Sequence, residues 1–282
     1  MQTIPFIKMH GLGNDYVFID CFASATSDIV RHTDLPTLAR HMSDRHFGIG
    51  SDGIVLIIPA NKNDADAEMR IFNADGTEAE MCGNAIRSVG KYMYENGLCR
   101  RNKIFVRTLS GIRTLRLHTL DGIVYNIEVE MGKAEIVFDQ LTIDNRTVDF
   151  VFVNMGNPHI VLFPKTDFAT MSLTPIGPTL EKHPHFPEGT NVEFVSVRNS
   201  NEIDMRVWER GSGETMACGT GACAATVAAA VLSKTCNAVT VHLRGGDLKI
   251  QYNPTSHEVT MCGTATEVFR GQYILTTIAN ED

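Results

Sequence analysis

Two cysteines occur in nearly the same short sequence at two places in the chain. Cys82 begins the sequence Cys-Gly-Asn, and Cys218, 136 residues later, begins the sequence Cys-Gly-Thr. The residues after each cysteine predict a helix, so each thiol would lie at a helix N-terminus. Unpaired N–H groups and a partial positive charge at that end lower the pKa of a thiol. Both cysteines are therefore candidates for nucleophilic or proton-transfer chemistry.

The residues that follow the two cysteines are candidates for binding an anion. A helix N-terminus binds carboxylates through its backbone N–H groups, here those of Gly83, Asn84, Gly219 and Thr220. Two thiols that face one carbon can remove a proton from one side and return it on the other, which inverts a stereocentre. Two helix N-termini aimed at the neighbouring carboxylate would stabilise the developing carbanion. No lysine occupies a recognisable pyridoxal setting, so the pattern indicates a racemase or epimerase without a cofactor.

The chain repeats itself around these cysteines. In the register that aligns them, residues 69–73 fall on residues 205–209. At slightly larger offsets, residues 13–17 resemble 156–160 and residues 50–52 resemble 189–191. Three segments that recur in the same order predict a duplicated domain.

The elements that would position the cysteines are short strands and two longer helices. Residues 54–58 predict a buried strand and residues 123–129 a half-buried strand. Ile86, Val89 and Met93 have the spacing of an amphipathic helix that Gly97 can end. Residues 222–232 are apolar nearly all round, which is typical of a helix in the middle of a domain.

The predicted fold class is therefore α/β in the mixed α+β sense, with two pseudo-symmetric duplicated domains. Each is a strand-rich, barrel-like sheet around a central helix, and the active site lies in the cleft between them. We place the N-terminal domain at residues 1–130, joined by a C-terminal strand at 264–282, and the C-terminal domain at 131–263.

Composition excludes several classes of protein. The net charge is −8 and no basic run stands out, which argues against nucleic-acid binding. The chain has no signal-peptide layout and no apolar run of about 18 residues, so we expect a soluble, cytoplasmic protein. Seven cysteines without a C-x-x-C pair argue against a zinc ribbon and a thioredoxin-like site. Five of them are predicted to lie in the core: Cys21, Cys99, Cys223, Cys236 and Cys262.

Several longer motifs are similar to those of the diaminopimelate epimerase family. They are GLGND at 11–15, FNADG at 72–76, MCGN at 81–84, MGNPH at 155–159 and the segment 209–221. The resemblance runs from about residue 8 to the region of Gly271. It implies interconversion of LL- and meso-2,6-diaminopimelate, a step toward lysine and the peptidoglycan cross-link. It also implies two pseudo-symmetric halves, a homodimer, and no cofactor or metal.

The resemblance also implies roles for particular residues. Cys82 and Cys218 match the proton-transfer residues, and His159 and Glu209 match groups that assist the thiols. The positions that match substrate-binding residues are Asn14, Asn73, Gly83, Asn84, Asn157, Asn191, Glu209, Arg210, Gly219 and Thr220. Arg210 suits a distal carboxylate, because a guanidinium pairs with it through two hydrogen bonds. Gly53 stands where some members have a glutamine, so one contact is lost.

Three other functions remain open on the sequence. A proline or hydroxyproline racemase shares the Cys-Gly pattern, although it needs no second charged binding end. A cysteine hydrolase would pair Cys82 or Cys218 with His159, but it leaves the second cysteine unexplained. A binding protein with a degenerate site is the third. Asn14 and Asn157 also suit ordinary turns, since Gly-Asn is a common turn dipeptide. Glu78 and Glu214, each four residues before a cysteine, fit either a cap of the turn or a solvated surface.

Overall fold

The computed structural model describes residues 2–61, 64–143, 146–165 and 170–275. These residues divide into two compact units, residues 1–127 with 264–282 and residues 128–263. The first unit contains β1 Gln2–Gly11, β2 Asn14–Asp20, α1 Ser24–Arg31, α2 Leu35–Ser43, β3 Gly53–Pro59, β4 Ala67–Asn73, β5 Glu78–Ala79, α3 Gly83–Glu95, β6 Lys103–Thr108, β7 Gly111–Leu120 and β18 Thr266–Leu275. The boundary between the units falls inside β8 Ile123–Lys133.

The second unit contains the rest of the described elements. They are β9 Glu135–Ile143, β10 Arg146–Asn154, β11 Pro158–Leu162, α4 Gly177–Glu181, β12 Asn191–Asn199, β13 Glu202–Glu209, β14 Gly213–Glu214, α5 Gly219–Val231, β15 Ala238–Leu243, β16 Gly246–Tyr252 and β17 Glu258–Gly263.

The two units have the same strand connectivity. In the first, β18–β1 and β1–β2 pair antiparallel, β2–β3 parallel, β3–β4 antiparallel, β4–β6 parallel and β6–β7 antiparallel. In the second, β9–β10, β10–β11, β11–β12, β12–β13, β13–β15 and β15–β16 repeat that series. Each parallel pair is joined by helical chain, as a crossover requires. The predicted duplication is confirmed, and α3 and α5, both of 13 residues, occupy equivalent places in it.

Helix α3 follows from its apolar spacing. Ile86, Val89 and Met93 are buried on one face, and the helix packs against β1, β2 and β7. It ends at Glu95, and Gly97 then adopts a φ of +73°, a conformation that glycine accepts without strain. The predicted helix and its end are confirmed.

Helix α5 is buried on all sides, as its continuous apolar sequence predicts. It packs against β10, β11, β12, β13, β15, β16 and β17. Its alanines allow these strands to approach closely, and residues from Ala222 to Ala229 are buried. The second unit is therefore a sheet wrapped around one central helix.

The prediction that five cysteines are core residues is wrong for one of them. Cys21, Cys99 and Cys223 are buried, and Cys262 is partly buried on β17. Cys236 is exposed because it lies in the loop between α5 and β15, where its backbone N–H donates to the Ser200 carbonyl.

Among the described residues, no helix combines the length and the apolar character needed to cross a membrane.

Candidate active site

Cys82 is the residue that immediately precedes α3. Its backbone is extended (φ −136°), and the first helical hydrogen bond runs from the Ile86 N–H to its carbonyl. The thiol donates to Asn14 Oδ1 over 3.4 Å, and the Asn84 amide donates to the same oxygen over 3.2 Å. The structure thus brings together three residues that the sequence named separately, at the first turn of α3.

A group of charged residues fixes the amide of Asn14. Asn14 Nδ2 donates to Asp52 Oδ2 over 2.7 Å, which turns Oδ1 toward the thiol. Arg45 bridges Asp52 and Asp15, and Lys8 pairs with Asp15. Burial opposes ionisation of Asp15, but the hydrogen bonds from Arg45 and Lys8 outweigh it and lower its pKa. The orientation of Asn14 is therefore fixed by Asp52 and the charged side chains that contact it.

Tyr16 is a further polar neighbour of Cys82. The residue is buried on β2, and its hydroxyl lies close to the side chains of Cys82 and Asn14. Burial raises the pKa of Tyr16 well above its ordinary value, and the nearby Cys82 and Asp52 add to that effect. The phenol is therefore neutral beside the thiol.

Asn73 is the last residue of β4 and pairs with Gly53 of β3. Its amide donates to Thr77 Oγ1 over 3.0 Å, within a turn where Gly76 has a φ of +88°. Gly83, by contrast, is buried in the first turn of α3, and its carbonyl accepts from Arg87.

Cys218 has the equivalent place before α5. The helical hydrogen bonds begin with the Ala222 N–H to the Cys218 carbonyl, and the Gly221 N–H donates to Sγ over 3.4 Å. Thr220 Oγ1 lies 3.5 Å from the same sulfur. Gly219, the first residue of α5, is buried.

The pKa of the Cys218 thiol differs from the sequence-based expectation. Burial raises this pKa well above the ordinary value, and the carboxylates of Glu209 and Glu193 raise it further. Hydrogen bonds from Thr220 and Gly221 act in the opposite direction, but they are smaller influences. The N–H group at the helix start lowers the pKa of this thiol as predicted, but burial and the two carboxylates outweigh it, so the net shift is upward.

His159 is fully buried on β11 and is connected to Cys218 by a series of polar contacts. Its Nδ1 lies 2.7 Å from Glu193 Oε1, and its Nε2 lies 3.0 Å from Asn157 Oδ1. The Asn157 amide in turn donates to Thr220 Oγ1 over 3.4 Å. Parallel pairing of β11 with β12 places the ring inside the second unit, so His159 is not a surface residue.

Glu209, the last residue of β13, faces the sulfur of Cys218. Burial of the carboxyl group raises its pKa, while hydrogen bonds from Thr215 and Cys218 and the charge of His159 oppose that rise. Glu209 is therefore a carboxyl group with a raised pKa close to a thiol.

Asn191 and Arg210 border this cluster. Asn191 Nδ2 donates to the Pro158 carbonyl over 2.8 Å, and its Oδ1 accepts from the Arg210 N–H over 3.0 Å. The guanidinium of Arg210 reaches the Glu188 carbonyl over 3.2 Å and belongs to an exposed residue. Asn191 thus ties the loop after β13 to the strand that carries His159.

The turns that lead to the two cysteines carry the same ion pair. Arg70 donates two hydrogen bonds of 2.6 and 2.9 Å to Glu78, and Arg206 donates two of 2.8 and 3.0 Å to Glu214. Both glutamates therefore pair with an arginine near their turn, and Glu78 is also exposed to solvent.

Within the described parts of the chain, no group of three or more histidine, cysteine or acidic side chains is arranged to hold a metal ion.

The chain matches a known family over most of its length. Residues 6–137 and 151–268 match the model of the diaminopimelate epimerase family. A relative from Desulfitobacterium hafniense, named diaminopimelate epimerase, is 47% identical over 95% of this chain and 97% of its own length. The chain belongs to the diaminopimelate epimerase family. A relative of the same name from Methanococcus maripaludis is 43% identical, with 95% of this chain and 99% of that protein covered.

Solved structures share the fold at low sequence identity. A hydroxyproline epimerase from Agrobacterium vitis is 15% identical with a TM-score of 0.71, over 96% of this chain and 92% of that one. A probable proline racemase from Agrobacterium radiobacter is 15% identical with a TM-score of 0.73, over 98% and 94%. These likenesses support the fold class, with its two duplicated α+β domains.

Sequence reasoning missed three residues beside the thiols: Glu193, Tyr16 and Asp52. Glu193 had a usable signal, since it is a lone acidic residue in a strand whose neighbours are apolar. Tyr16 and Asp52 lie in the repeated segments 13–17 and 50–52, but only the parallel pairing of β2 with β3 brings these two segments together.

Proposed function

We propose that this chain interconverts LL- and meso-2,6-diaminopimelate by moving a proton at the α-carbon between Cys82 and Cys218. The observation that carries the proposal is that each thiol precedes a 13-residue helix at the equivalent point of a duplicated fold. Family membership supports the substrate, because curated relatives at 43–47% identity are named for it. The reaction requires the two sulfurs to reach opposite faces of one carbon.

The proposed step is a proton transfer that balances within the enzyme and its substrate. One cysteine, as thiolate, takes the α-proton, and the C–H electron pair stays on the carbon as a carbanion. The other cysteine, as thiol, gives its proton to the opposite face, so the configuration inverts and the two sulfurs exchange protonation states. The reacting carboxylate would be held by backbone N–H groups of Gly83, Asn84, Gly219 and Thr220, whose dipoles stabilise the carbanion.

Glu209 and His159 are proposed to prepare Cys218 for this exchange. A thiol whose pKa is raised by burial and by two carboxylates ionises poorly unless a base lies beside it. Glu209 lies beside that thiol, and burial raises the pKa of its carboxyl group, which makes it a stronger base than an ordinary glutamate. We therefore assign Glu209 as the local proton acceptor of Cys218.

Recognition of the second charged end of the substrate is assigned to residues around the two clusters. Arg210 presents an exposed guanidinium suited to a carboxylate, and Glu209 is suited to an ammonium group. Amides that can donate and accept are supplied by Asn14, Asn73, Asn157 and Asn191. A proline racemase would need no such set, which favours diaminopimelate over that alternative.

The family resemblance also supports a cytoplasmic homodimer that works without a cofactor. Exposed apolar side chains in the first unit are consistent with a covered surface in an assembly: Leu120, Ile123, Val268, Phe269 and Ile274. Sedimentation equilibrium would test the dimer, and a monomer at micromolar concentration would refute it.

Solvent exchange tests the reaction. The purified chain is incubated with LL-diaminopimelate in deuterated water without pyridoxal phosphate, and the α-protons are followed by NMR alongside chiral analysis. We expect deuterium at one α-position as the meso form appears, because the returned proton comes from a thiol that has equilibrated with solvent.

Other outcomes have defined meanings. Exchange with proline or hydroxyproline, but not with diaminopimelate, would keep the two-thiol reaction and reject the substrate. No exchange with any of these amino acids would reject the proposed reaction.

A further inference from the structure

One fully buried carboxylate in the second unit is only half satisfied. Glu193 lies near the start of β12 between Val192 and Phe194, with no exposed surface. Its Oε1 contacts His159 Nδ1 over 2.7 Å, while its Oε2 has no hydrogen-bond partner among the described residues. Burying a charge with one oxygen unpaired costs stability, so packing alone does not account for an acidic residue at this position.

Glu193 is connected to Cys218 by two routes. The first is a chain of polar contacts through His159, Asn157 and Thr220, with steps of 2.7, 3.0, 3.4 and 3.5 Å that end at the sulfur. The second is direct packing against the first turn of α5. A methyl group at Gly221 would lie 2.7 Å from Glu193 Oε1, and the Gly221 N–H is the donor to Cys218 Sγ.

We propose that Glu193 is a positioning residue for the Cys218 half of the active site, an inference that rests on the proposed epimerase function. A carboxylate oxygen accepts hydrogen bonds, so Glu193 Oε1 accepts the hydrogen on Nδ1 of His159 and holds the ring with Nε2 3.0 Å from Asn157 Oδ1. Asn157 and Thr220 are thereby fixed against the sulfur. Without Glu193, Nδ1 of His159 loses its partner and the ring is free to change its orientation.

Glu193 also acts on Cys218 through its charge. Its carboxylate is one of two that raise the pKa of the thiol, and the other belongs to Glu209. Opposing them are the Thr220 hydroxyl and the Gly221 N–H. Removal of the Glu193 charge should therefore lower the pKa of Cys218 even though turnover falls, which a purely structural role would not produce.

The test uses two replacements of Glu193. One removes the charge, and the other keeps the charge on a shorter side chain. For Glu193→Gln we expect kcat to fall on the order of 10²-fold with little change in KM, as a misplaced catalytic group produces. We also expect alkylation of Cys218 by iodoacetamide, followed by peptide mass spectrometry, to begin at lower pH. For Glu193→Asp, which keeps the charge but is shorter, we expect a similar loss of kcat without that shift.

Glu181→Gln is the matched control. Glu181 is buried in the same unit, but it accepts from Trp208 Nε1 and the Gly211 N–H. This variant should leave the pH dependence of Cys218 alkylation as in the wild type. The inference is wrong if Glu193→Gln retains wild-type kcat, or if its alkylation profile coincides with that of Glu181→Gln.

A measurement on the wild-type chain covers the case in which the variants do not fold. In protein labelled with ¹⁵N-histidine, His159 should show a slowly exchanging hydrogen on Nδ1. A hydrogen on Nε2 alone would overturn the inference. Alkylation and NMR need no substrate, so they test the role of Glu193 independently of activity. An inactive wild-type chain would reject the proposed function and leave these two tests of Glu193 valid.

Discussion

At the residue scale, Cys218 is subject to two opposing influences. The first turn of α5 stabilises a thiolate through the Gly221 N–H, whereas burial and two carboxylates favour the thiol. Cys82 is arranged differently, because its thiol donates to Asn14 Oδ1. The two sulfurs are equivalent in the duplicated fold but are not equivalent in their surroundings.

Replacement of either proposed catalytic thiol should abolish inversion and preserve the fold. A serine hydroxyl is a far weaker acid than a thiol, so we expect Cys82→Ser and Cys218→Ser each to lower kcat by roughly 10²- to 10⁴-fold. Coupled epimerisation assays and circular dichroism would check this. Cys236→Ser, at an exposed position, is the control and should keep wild-type turnover. Near-native turnover in either active-site variant would refute the two-thiol reaction.

Glu209→Gln should separate ionisation of Cys218 from turnover. The carboxylate of Glu209 raises the pKa of this thiol, so its removal should lower that pKa and move alkylation of Cys218 to lower pH. The variant also loses the proton acceptor, so kcat should fall by about 10²-fold or more. Peptide-resolved alkylation across pH and steady-state kinetics measure the two effects, with labelling of Cys236 as a reference for the reagent. Full turnover in this variant would show that Glu209 takes no part in the reaction.

At the element scale, the placement of α3 depends on a buried arginine. Arg87 has no exposed surface and donates to the carbonyls of Gly83 and Thr264 and to Asn84 Oδ1, over 2.9 to 3.1 Å. Thr264 lies just before β18, the strand that pairs with β1. One side chain therefore ties the first turn of α3 to the C-terminal segment of the same unit.

Arg87→Met should destabilise the chain strongly. The methionine fills much of the space but leaves these three oxygens without their donor, at a cost of about 3 kcal/mol or more. Urea denaturation would measure the loss. Arg101→Met is the control, because this arginine is exposed and its pair with Asp66 is screened by solvent, so the midpoint of urea denaturation should stay close to that of the wild type. Equal losses in the two variants would show that the Arg87 contacts do not hold α3.

At the scale of the whole molecule, the duplication provides two equivalent helix starts, each with a thiol. The series of parallel and antiparallel pairs is the same in both units, and the Arg70–Glu78 and Arg206–Glu214 pairs recur at the same turn. A reaction that needs one acid and one base on opposite faces of a carbon can take one thiol from each copy of such a duplicated fold.

The proposed reaction predicts sensitivity to oxidation. If both sulfurs serve one carbon, mild oxidation of the substrate-free enzyme should join Cys82 to Cys218 and abolish activity, and a dithiol should restore it. Activity assays before and after reduction, with the linked peptides identified by mass spectrometry, would test this. Cys236→Ser should behave in the same way. Full activity in protein shown to carry this disulfide would contradict the shared site.

Local patterns in the chain were enough to predict its duplication, its central helices and its two cysteines. Apolar spacing and glycine placement are local properties, so the helix of Ile86, Val89 and Met93 and its end before Gly97 were readable directly. The motifs around the thiols are contiguous, and they identified the family to which the chain belongs.

Only the tertiary structure decided what surrounds each sulfur. Strand pairing brings Asp52 to Asn14 and Glu193 to His159, across sequence separations that no local pattern encodes. It also reversed the expected pKa shift of Cys218, because burial and neighbouring carboxylates depend on contacts between distant segments rather than on position in a helix. Periodicity reports which face of an element is buried, whereas electrostatic environment is a property of the assembled fold.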